Sequence, residues 1–485
     1  MTKAPKFNSE RPVVKNVLAD RYSSRETLEI FSEENKVLSE REFWIEIMQA
    51  QHDLGLNIPQ KNIDDYGRIK NQIDFVSIRK RELKLRHDEK ARIEEFNALA
   101  GHENAHEGLT SRDVSDNLEQ AQIKRGLNVI KDRTVATLAR FATSATETYG
   151  KLVYTGRTHM VPAQPDLIGR LFSNAGEELL LAYNRLGNLI ENYPLRGIKG
   201  AMGTQTDQLQ LFDQDQKKVD ELESRVAKFL GFKNILGSIG QIYPRSLDFE
   251  VVSTLYQLVC GPASLAETLR IMASKEEFTE GFKPGQVGSS AMPHKMNSRT
   301  LERACAQRDI LDGYLTMAKN VAGRQKYGGD VSDSATRRVF IPDSFFVTDG
   351  FFQSMLTVLD EAGFYPAVIE KELNTYLPFL TSTRLLMAAV DEGVGREKAH
   401  EAIKRHAVDV ALEMREKGEV KKGILDRLAE DPSIGLKKEI FEEALSSPIE
   451  FVGSAPKQVA DFVKKVNEIT DKYPKAAKYV PEEIL

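Results

Sequence analysis

The stretch from residue 117 to residue 149, NLEQAQIKRGLNVIKDRTVATLARFATSATETY, predicts the fold most directly in this 485-residue sequence. Its apolar residues are separated by three or four positions or by sums of these, which is typical of one helix face. Asp116 and Asn117 are suitable caps before it, and Gly150 is a suitable stop after it. Such a helix would extend about 50 Å at 1.5 Å per residue. The apolar residues on the face are Leu127, Ile130, Leu138, Phe141, Ala145 and Tyr149.

Four more segments repeat this pattern and predict a bundle of long helices. Pro165 is well placed as the first helical residue of one of them, and Pro262 should kink another. No alternation of strands and helices is evident, which argues against a doubly wound sheet. We therefore predict an all-α protein, with a long central helical bundle and smaller helical N- and C-terminal domains. The four segments are 165–193, 248–278, 301–322 and 343–361.

The two ends of the chain differ from the middle in their helical pattern. Their helical stretches are shorter and are broken by Gly and Pro. The sequence Phe364-Tyr365-Pro366 is a plausible boundary. We predict three domains, over residues 1–110, 111–364 and 365–485.

Composition excludes several classes of protein. The chain has 67 Lys and Arg against 72 Asp and Glu, and its net charge of -5 argues against general nucleic-acid binding. Two cysteines, Cys260 and Cys305, exclude a disulfide framework and indicate a reducing compartment. The first residues contain no apolar stretch, and the apolar run 385–390 is too short to span a bilayer. We expect a soluble cytosolic protein that does not bind membranes.

A polar loop at residues 281–298, GFKPGQVGSSAMPHKMNS, separates two of the long helices. Loops of this length inside a compact domain are often functional. Its hydroxyl and cationic groups, followed by the basic start of a helix whose amide groups favour anions, would suit an anionic substrate. A surface loop before a basic helix start has the same composition. The polar groups in question are Ser289, Lys295, Asn297, Arg299 and Arg303.

Two further polar segments precede long helices. In the segment 155–165, His159 lies between Gly156 and Pro162 rather than on an apolar stripe, and histidine can exchange a proton near neutral pH. The alternative is a core histidine, which usually occupies a helix face instead. In the segment 101–116, Thr110 and Asp113 fit a helix capping pair, and hydroxyls at such a helix start could instead grip a carboxylate.

A zinc-peptidase pattern, H-E-x-x-H, occurs at His102 and His106. Zinc binding requires both histidines on one face of a continuous helix and a third ligand. Gly101 and Gly108 flank the motif closely, and Leu109 occupies the position of the glycine in the extended motif. A zinc metallopeptidase is the alternative from a different class. No other sequence motif requires a metal or a cofactor.

Three blocks of sequence, taken together, resemble the fumarase/aspartase superfamily of elimination enzymes. The loop GSSAMPHKMN, ending at Asn297, resembles the superfamily signature, and its Met-Pro-His-Lys variant is similar to that of the adenylosuccinate lyase family. GRTH, ending at His159, and Thr110-Ser111 are similar to the other two blocks. The similarity extends from about residue 17 to about residue 465 and includes the segments 20–23, 86–88 and 196–205.

The resemblance implies a set of site residues. Ser289 would be the general base and His159 the general acid, with His87 in support. Lys295 and Asn297 would hold a carboxylate of the substrate. The remaining implied substrate-binding residues, several of them around a nucleotide 5′-phosphate, are Arg21, Tyr22, Arg86, Asp88, Thr110, Ser111, Gln241, Arg303, Ser334 and Arg338.

The resemblance also implies an activity and an assembly. The reaction would be a β-elimination that releases fumarate from adenylosuccinate or from succinylaminoimidazole-carboxamide ribotide, without a cofactor. The family builds its sites from three subunits of a homotetramer. Alternatives are another lyase of the superfamily, such as argininosuccinate lyase or aspartase, and a non-catalytic scaffold of the same fold. The presence of Ser289, His159 and Lys295 argues against a scaffold.

One segment departs from the family pattern. Many members carry an arginine ahead of the residues that correspond to Asp333 and Ser334, whereas this chain has the sequence YGGDV at 327–331. Arg337 and Arg324 are the candidates to replace that arginine.

Overall fold

The structure is a computed structural model that describes residues 14–281, 291–292 and 294–483. Its long helices confirm the predicted all-α bundle. The helices are α1 Val17–Arg21, α2 Arg25–Phe31, α3 Glu33–Asp53, α4 Gln60–Ile69, α5 Phe75–Leu85, α6 Asp88–Ala100, α7 Ser111–Thr143, α8 Ile168–Asn192, α9 Thr206–Leu211, α10 Gln216–Phe229, α11 Ser246–Ser274, α12 Arg299–Val321, α13 Ser334–Glu361, α14 Pro366–Leu380, α15 Ser382–Asp391, α16 Arg396–Lys417, α17 Ile424–Glu430, α18 Lys438–Ala444, α19 Ala455–Lys472 and α20 Pro474–Ala477.

The central bundle consists of α7, α8, α11, α12 and α13. The predicted apolar face of α7 is buried, and Leu127, Ile130, Leu138 and Phe141 are fully inaccessible to solvent. Helix α11 continues through Pro262 without interruption. Within the described residues, no helix has both the length and the apolar character needed to cross a membrane.

Helix α7 begins earlier than its sequence pattern suggested. Asp116 and Asn117, predicted as caps, lie inside the helix and are fully buried. Their polar groups are satisfied by tertiary partners: Asn117 exchanges two hydrogen bonds of 2.9 Å with the backbone of Gly197. The predicted pairing of Thr110 and Asp113 is confirmed, since the Thr110 N–H donates to Asp113 Oδ2 at 2.8 Å.

A β-hairpin replaces the predicted start of the helix at Pro165. Strand β1 (Val153–Thr158) pairs antiparallel with β2 (Val161–Leu167), and helix α8 starts only at Ile168. The register shifts between Gly156 and Arg157, so that Pro162, which lacks an N–H, lies opposite Arg157 at a bulge. The prediction was wrong because proline is tolerated in an edge strand as well as at a helix start, and Pro165 lies opposite Thr155 in a two-stranded hairpin.

The C-terminal part of the chain forms a second apolar cluster, which runs from Leu373 to Leu445 and contains α14 to α18. Helix α19 leaves this cluster and packs on α8, where Phe462 lies against Gly176. A short pairing of β3 (Phe278–Thr279) with β4 (Gly363–Phe364) lies at the end of the bundle. The division into three domains stays a prediction.

The start of α7 is held by a buried ion pair. Asp113 and Arg196 are fully buried, and Arg196 Nη1 lies 2.5 Å from Asp113 Oδ1. The same oxygen accepts the N–H groups of Lys199, at 2.9 Å, and Gly200, at 3.0 Å. The Asp113 carboxylate therefore holds the 196–200 loop against the first turn of α7.

We expect Asp113→Ala to lower the free energy of unfolding by about 3–5 kcal/mol, because it leaves the Arg196 charge buried without its partner. Urea unfolding followed by circular dichroism measures this difference. Asp360→Ala is the matched control, since Asp360 pairs with Arg140 at 2.6 Å at the surface and should contribute at most about 1 kcal/mol. Equal losses in the two variants would contradict the prediction.

Candidate active site

A cavity of about 810 Å³ lies between α5, α6 and the start of α7. It brings together His87 and Ser111, which are far apart in sequence and were both predicted as site residues. Thr110 caps α7 next to Ser111, so that the first predicted block and the His87 segment share one concave surface.

His87 is the residue that caps α6. Its Nδ1 accepts the N–H of Lys90 at 3.1 Å. In the neutral imidazole the proton is therefore on Nε2, which leaves that nitrogen as a hydrogen-bond donor. The preceding residue, Arg86, ends α5 in a left-handed conformation with φ 55° and has an exposed side chain. The cap fixes the ring, whose side chain remains 50% exposed.

Asp88 joins this segment to the start of α13. Its Oδ2 lies 3.3 Å from Nη2 of Arg338 and 3.7 Å from Nη2 of Arg92. Burial alone would raise the pKa of the Asp88 carboxyl, but the neighbouring guanidinium groups outweigh burial and hold that pKa below its usual value. Ser334, at the first turn of α13, precedes Arg338 by one helical turn.

A second group of predicted residues lies where α1 meets α12. The guanidinium carbon of Arg303 is 5.1 Å from the centroid of the Tyr22 ring. The pKa of Arg303 is lowered, first by burial and also by the positive charges of Arg299 and Arg21. Arg303 therefore lies against the Tyr22 ring under the influence of two further positive charges, and a bound anion would relieve their mutual repulsion.

The backbone amides at the start of α12 are already occupied. The carboxylate of Glu280, which is buried, accepts the N–H of Thr300 at 2.9 Å and that of Leu301 at 3.1 Å. The expectation that these amides favour a substrate anion was wrong, because Glu280 takes them. The arginine side chains remain the cationic groups available there.

The two groups are far apart within one chain. Tyr22 packs on Gly350 of α13, whereas Arg338 lies twelve residues earlier on the same helix. At 1.5 Å per residue this is a separation of about 18 Å along the helix. Residues predicted to contact one phosphate region are thus divided between two places.

His159 occupies the tip of the β1–β2 hairpin and is exposed. The turn consists of His159 and Met160, with φ values of 51° and 65°, a pair of positive angles that is uncommon outside glycine and asparagine. Within the described ranges, no hydrogen bond or ion pair engages the His159 side chain. Such uncommon conformations concentrate at functional sites, and here the turn presents the imidazole outward.

The remaining predicted residues are Ser289, Lys295 and Asn297 of the signature segment, and Gln241. Ser289 falls outside the described residues. Lys295 is exposed and Asn297 half-buried, just ahead of α12. The backbone of Gln241 accepts Arg196 Nε at 2.7 Å and donates to the carbonyl of Gly328 at 2.5 Å, which places it beside the segment that departs from the family pattern.

Of the two candidates to replace the absent arginine, Arg337 is already engaged. Its buried guanidinium lies 2.7 Å from Asp248 and 2.9 Å from Glu119. Arg324 is exposed and lines a cavity of about 300 Å³ with Asp330. Of the two, only Arg324 has an exposed guanidinium for a ligand.

The geometry of His102 and His106 does not fit a zinc site. The segment from 102 to 106 is not helical, and His102 Nε2 lies 2.8 Å from Asp65. His106 Nδ1 accepts the indole N–H of Trp44 at 3.2 Å, and burial lowers the pKa of His106 to about 4. No cluster of potential metal ligands occurs in the part of the chain that the structure describes.

Glu89, the residue after Asp88, is a buried carboxyl group that no sequence motif indicated. It is 3% exposed. Burial, and then the charge of Glu40, raise the pKa of Glu89 to about 9. Because Glu40 comes from α3, far away in sequence, no local pattern signals this environment. Glu89 is therefore protonated at neutral pH, two residues from His87.

We expect Glu89→Gln to flatten the pH dependence of stability. Since the pKa of Glu89 is raised in the folded state, its contribution is fully present below the unfolded pKa of about 4.3 and is lost as the pH rises towards the folded value. The Tm of the variant relative to the original protein should therefore increase between acid and alkaline pH. Thermal melts at several pH values measure this, and parallel profiles would disprove it.

Two family models match the chain. One is described as "Adenylosuccinate lyase C-terminus" and matches residues 378–462, and the other as "Lyase" and matches residues 67–307. Among solved structures, a 3-carboxy-cis,cis-muconate lactonizing enzyme from Pseudomonas putida shares the fold, with a TM-score of 0.81 at 17% identity over 94% of this chain and 99% of that chain. A fumarate lyase from Mesorhizobium has a TM-score of 0.75 at 20% identity, over 93% of this chain and 100% of that chain.

Closer similarity is found among curated sequences. Adenylosuccinate lyase from Schistosoma mansoni is 33% identical over 93% of this chain and 94% of its own length. The Saccharomyces cerevisiae adenylosuccinate lyase is 32% identical over 92% of this chain and 93% of its own. The chain, a carbon–nitrogen lyase, therefore belongs to the adenylosuccinate lyase family of the fumarase/aspartase superfamily.

Proposed function

We propose that this enzyme releases fumarate from adenylosuccinate, giving AMP, and from succinylaminoimidazole-carboxamide ribotide. The observation that carries the choice of substrate is the position of the Arg303 guanidinium against the Tyr22 ring, with Arg299 one turn earlier on α12 and Arg21 next to Tyr22 in the chain. Both substrates are nucleotides with a 5′-phosphate, and the guanidinium groups of Arg21, Arg299 and Arg303 supply a concentrated positive charge for it. Membership of the family supports the reaction.

The chemistry begins at a carbon beside a carboxylate. Its C–H bond is a weak acid, and removal of the proton by Ser289 would build a second negative charge on that carboxylate. Only groups that stabilise this charge as it develops lower the barrier. Lys295 and Asn297 are the groups proposed for this role, with Thr110 and Ser111 close to the carboxylate.

The elimination is completed by proton transfer to the leaving nitrogen, which we assign to His159. His87 supports it, since its Nε2–H is free to donate while Nδ1 is fixed by Lys90. Serine is a poor base in water, so that Ser289 must lose its proton in a cationic site that excludes water.

We also propose that the active sites are shared between subunits of a homotetramer in the cytosol. His159 points outward at a hairpin tip, and the Tyr22 and Arg338 groups are about 18 Å apart along α13. Association of chains would bring such separated groups together, as closed symmetric assemblies of long helices do.

The activity is tested directly by following the ultraviolet absorbance of adenylosuccinate with the purified protein. We expect conversion to AMP and fumarate without added metal or cofactor. The same assay with argininosuccinate or aspartate tests the alternative lyases. Turnover of one of these but not of adenylosuccinate would overturn the proposal.

Ser289→Ala should reduce turnover at least about 100-fold, since general-base catalysis typically contributes that much or more. The oligomer should stay intact, as gel filtration would show. Ser446→Ala, at an exposed serine of the C-terminal region, is the control and should have full activity. Activity of Ser289→Ala near the original level would mean that another group is the base.

Mixing the inactive Ser289→Ala and His159→Asn chains should restore activity, provided that the two residues of a site come from different subunits. With random assembly from equal amounts, roughly a quarter of the sites would contain both intact residues. Co-refolding the two variants and assaying fumarate release measures the recovery. No recovery, with mixed oligomers present, would place both residues of a site in one chain.

A further inference from the structure

Tyr22 lies in the turn between α1 and α2, and this turn packs directly on α13 at Gly350. A Cβ atom at position 350 would lie 2.9 Å from Tyr22 Cβ and 3.2 Å from the Tyr22 carbonyl oxygen. Glycine inside a helix is less favourable than alanine by about 1 kcal/mol. Its presence in the interior of α13 is explained by the close approach of the turn.

The residue before Gly350, Asp349, fastens the same turn. Asp349 is fully buried, and its Oδ2 accepts the N–H of Ser24 at 2.6 Å and the hydroxyl of Ser23 at 3.2 Å. Its Oδ1 accepts Nε of Arg133 at 3.3 Å. The carboxylate is thus paired with a cation and satisfied by the turn, a combination that makes a buried charge stable.

The C-terminal segment, through Tyr479 and Glu482, contacts the residues around this turn on the side away from Gly350. The ring of Tyr479 lies 3.5 Å from the guanidinium carbon of Arg133, and its hydroxyl accepts a hydrogen bond of 2.9 Å from Gln353. The carboxylate of Glu482 accepts the N–H of Arg25 at 3.0 Å, at the start of α2. The turn that carries Tyr22 is therefore held on both sides.

Gly350 also faces the helix that carries Arg303. A Cβ atom at position 350 would lie 2.8 Å from Nε2 of Gln307, which follows Arg303 by one turn of α12. The absence of a side chain at 350 thus sets how closely the Tyr22 turn and α12 approach each other. Across that separation, the guanidinium carbon of Arg303 lies 5.1 Å from the centroid of the Tyr22 ring.

We propose that Asp349 and Gly350 are positioning residues, which hold the Tyr22 and Arg303 side chains at the spacing that binds the phosphate of a nucleoside monophosphate. This inference rests on the proposed function, since it assumes that the Arg303 group binds the phosphate. Neither residue touches the substrate. Both act through the turn that carries Tyr22.

The test compares Gly350→Ala with Gly313→Ala, a glycine of α12 whose Cβ would meet no atom within 4 Å. The probes are AMP, which carries a phosphate, and fumarate, which does not. In Gly350→Ala we expect the Kd for AMP to rise about tenfold, which corresponds to about 1.4 kcal/mol. Fumarate binding should be unchanged, and Gly313→Ala should bind both probes like the original protein.

Ser23→Ala provides a milder second variant, in case Gly350→Ala does not assemble. It removes one hydrogen bond to Asp349 and should weaken AMP binding about two- to fivefold, again without an effect on fumarate. Equal weakening for AMP and fumarate, or unchanged AMP binding in both variants, would overturn the positioning role. A merely structural role would lower the Tm without distinguishing the two probes.

Arg303→Ala separates this inference from the proposed function. If Arg303→Ala binds AMP like the original protein, the phosphate assignment is wrong and the inference fails with it. If Arg303→Ala weakens AMP binding while Gly350→Ala and Ser23→Ala do not, the phosphate assignment stands and only the positioning role is wrong.

Discussion

The carboxylate of Asp113 is the constraint on which the rest of the site depends. A buried ion pair is stable only where further hydrogen bonds satisfy both partners. Asp113 meets this condition with Arg196 and with backbone N–H groups from Thr110 and the 199–200 turn. Because Arg196 also donates to the carbonyl of Gln241, this single pair orients three segments at once.

A similar principle recurs at the other buried charges of the bundle. Asp116 and Asp333 lie on either side of Arg245, at 3.2 Å and 2.7 Å. Asp349 is shared by Arg133 and the turn after Tyr22. The long helices supply the apolar core, while these paired charges fix where the connecting segments attach. The substrate-facing residues lie on those segments.

The sequence predicted the long helices well and their ends poorly. Apolar spacing is a local property, and it located the buried face of α7 correctly. Asp116 and Asn117 have the composition of caps, but their partners are Arg245 and Gly197, which no local pattern reveals. The β1–β2 hairpin was missed because its turn, His159-Met160, lacks the asparagine or glycine that usually marks such turns.

For the site, the sequence identified residues but not their arrangement. The motifs named His87, Ser111, Tyr22 and Arg303, and the structure brings these together in two pairs. The sequence could not show that the Glu280 carboxylate accepts the first backbone N–H groups of α12, because Glu280 lies outside the motif. Nor could the sequence show that Arg338, beside the His87 segment, and the Tyr22 contact at Gly350 are about 18 Å apart along α13. That separation depends on tertiary packing.

The bulge in the β1–β2 hairpin sets the pairing of the strand residues that lead into the His159 turn. Side chains alternate between the two faces of a strand, so that a slip of a single residue in pairing reverses every orientation. The bulge places one extra residue of β2 opposite the step from Gly156 to Arg157, and so shifts the alternation of side chains next to the turn. Insertions or deletions of one residue in either strand would therefore reverse the faces of the residues that support this turn, and the hairpin can change its composition far more readily than its length.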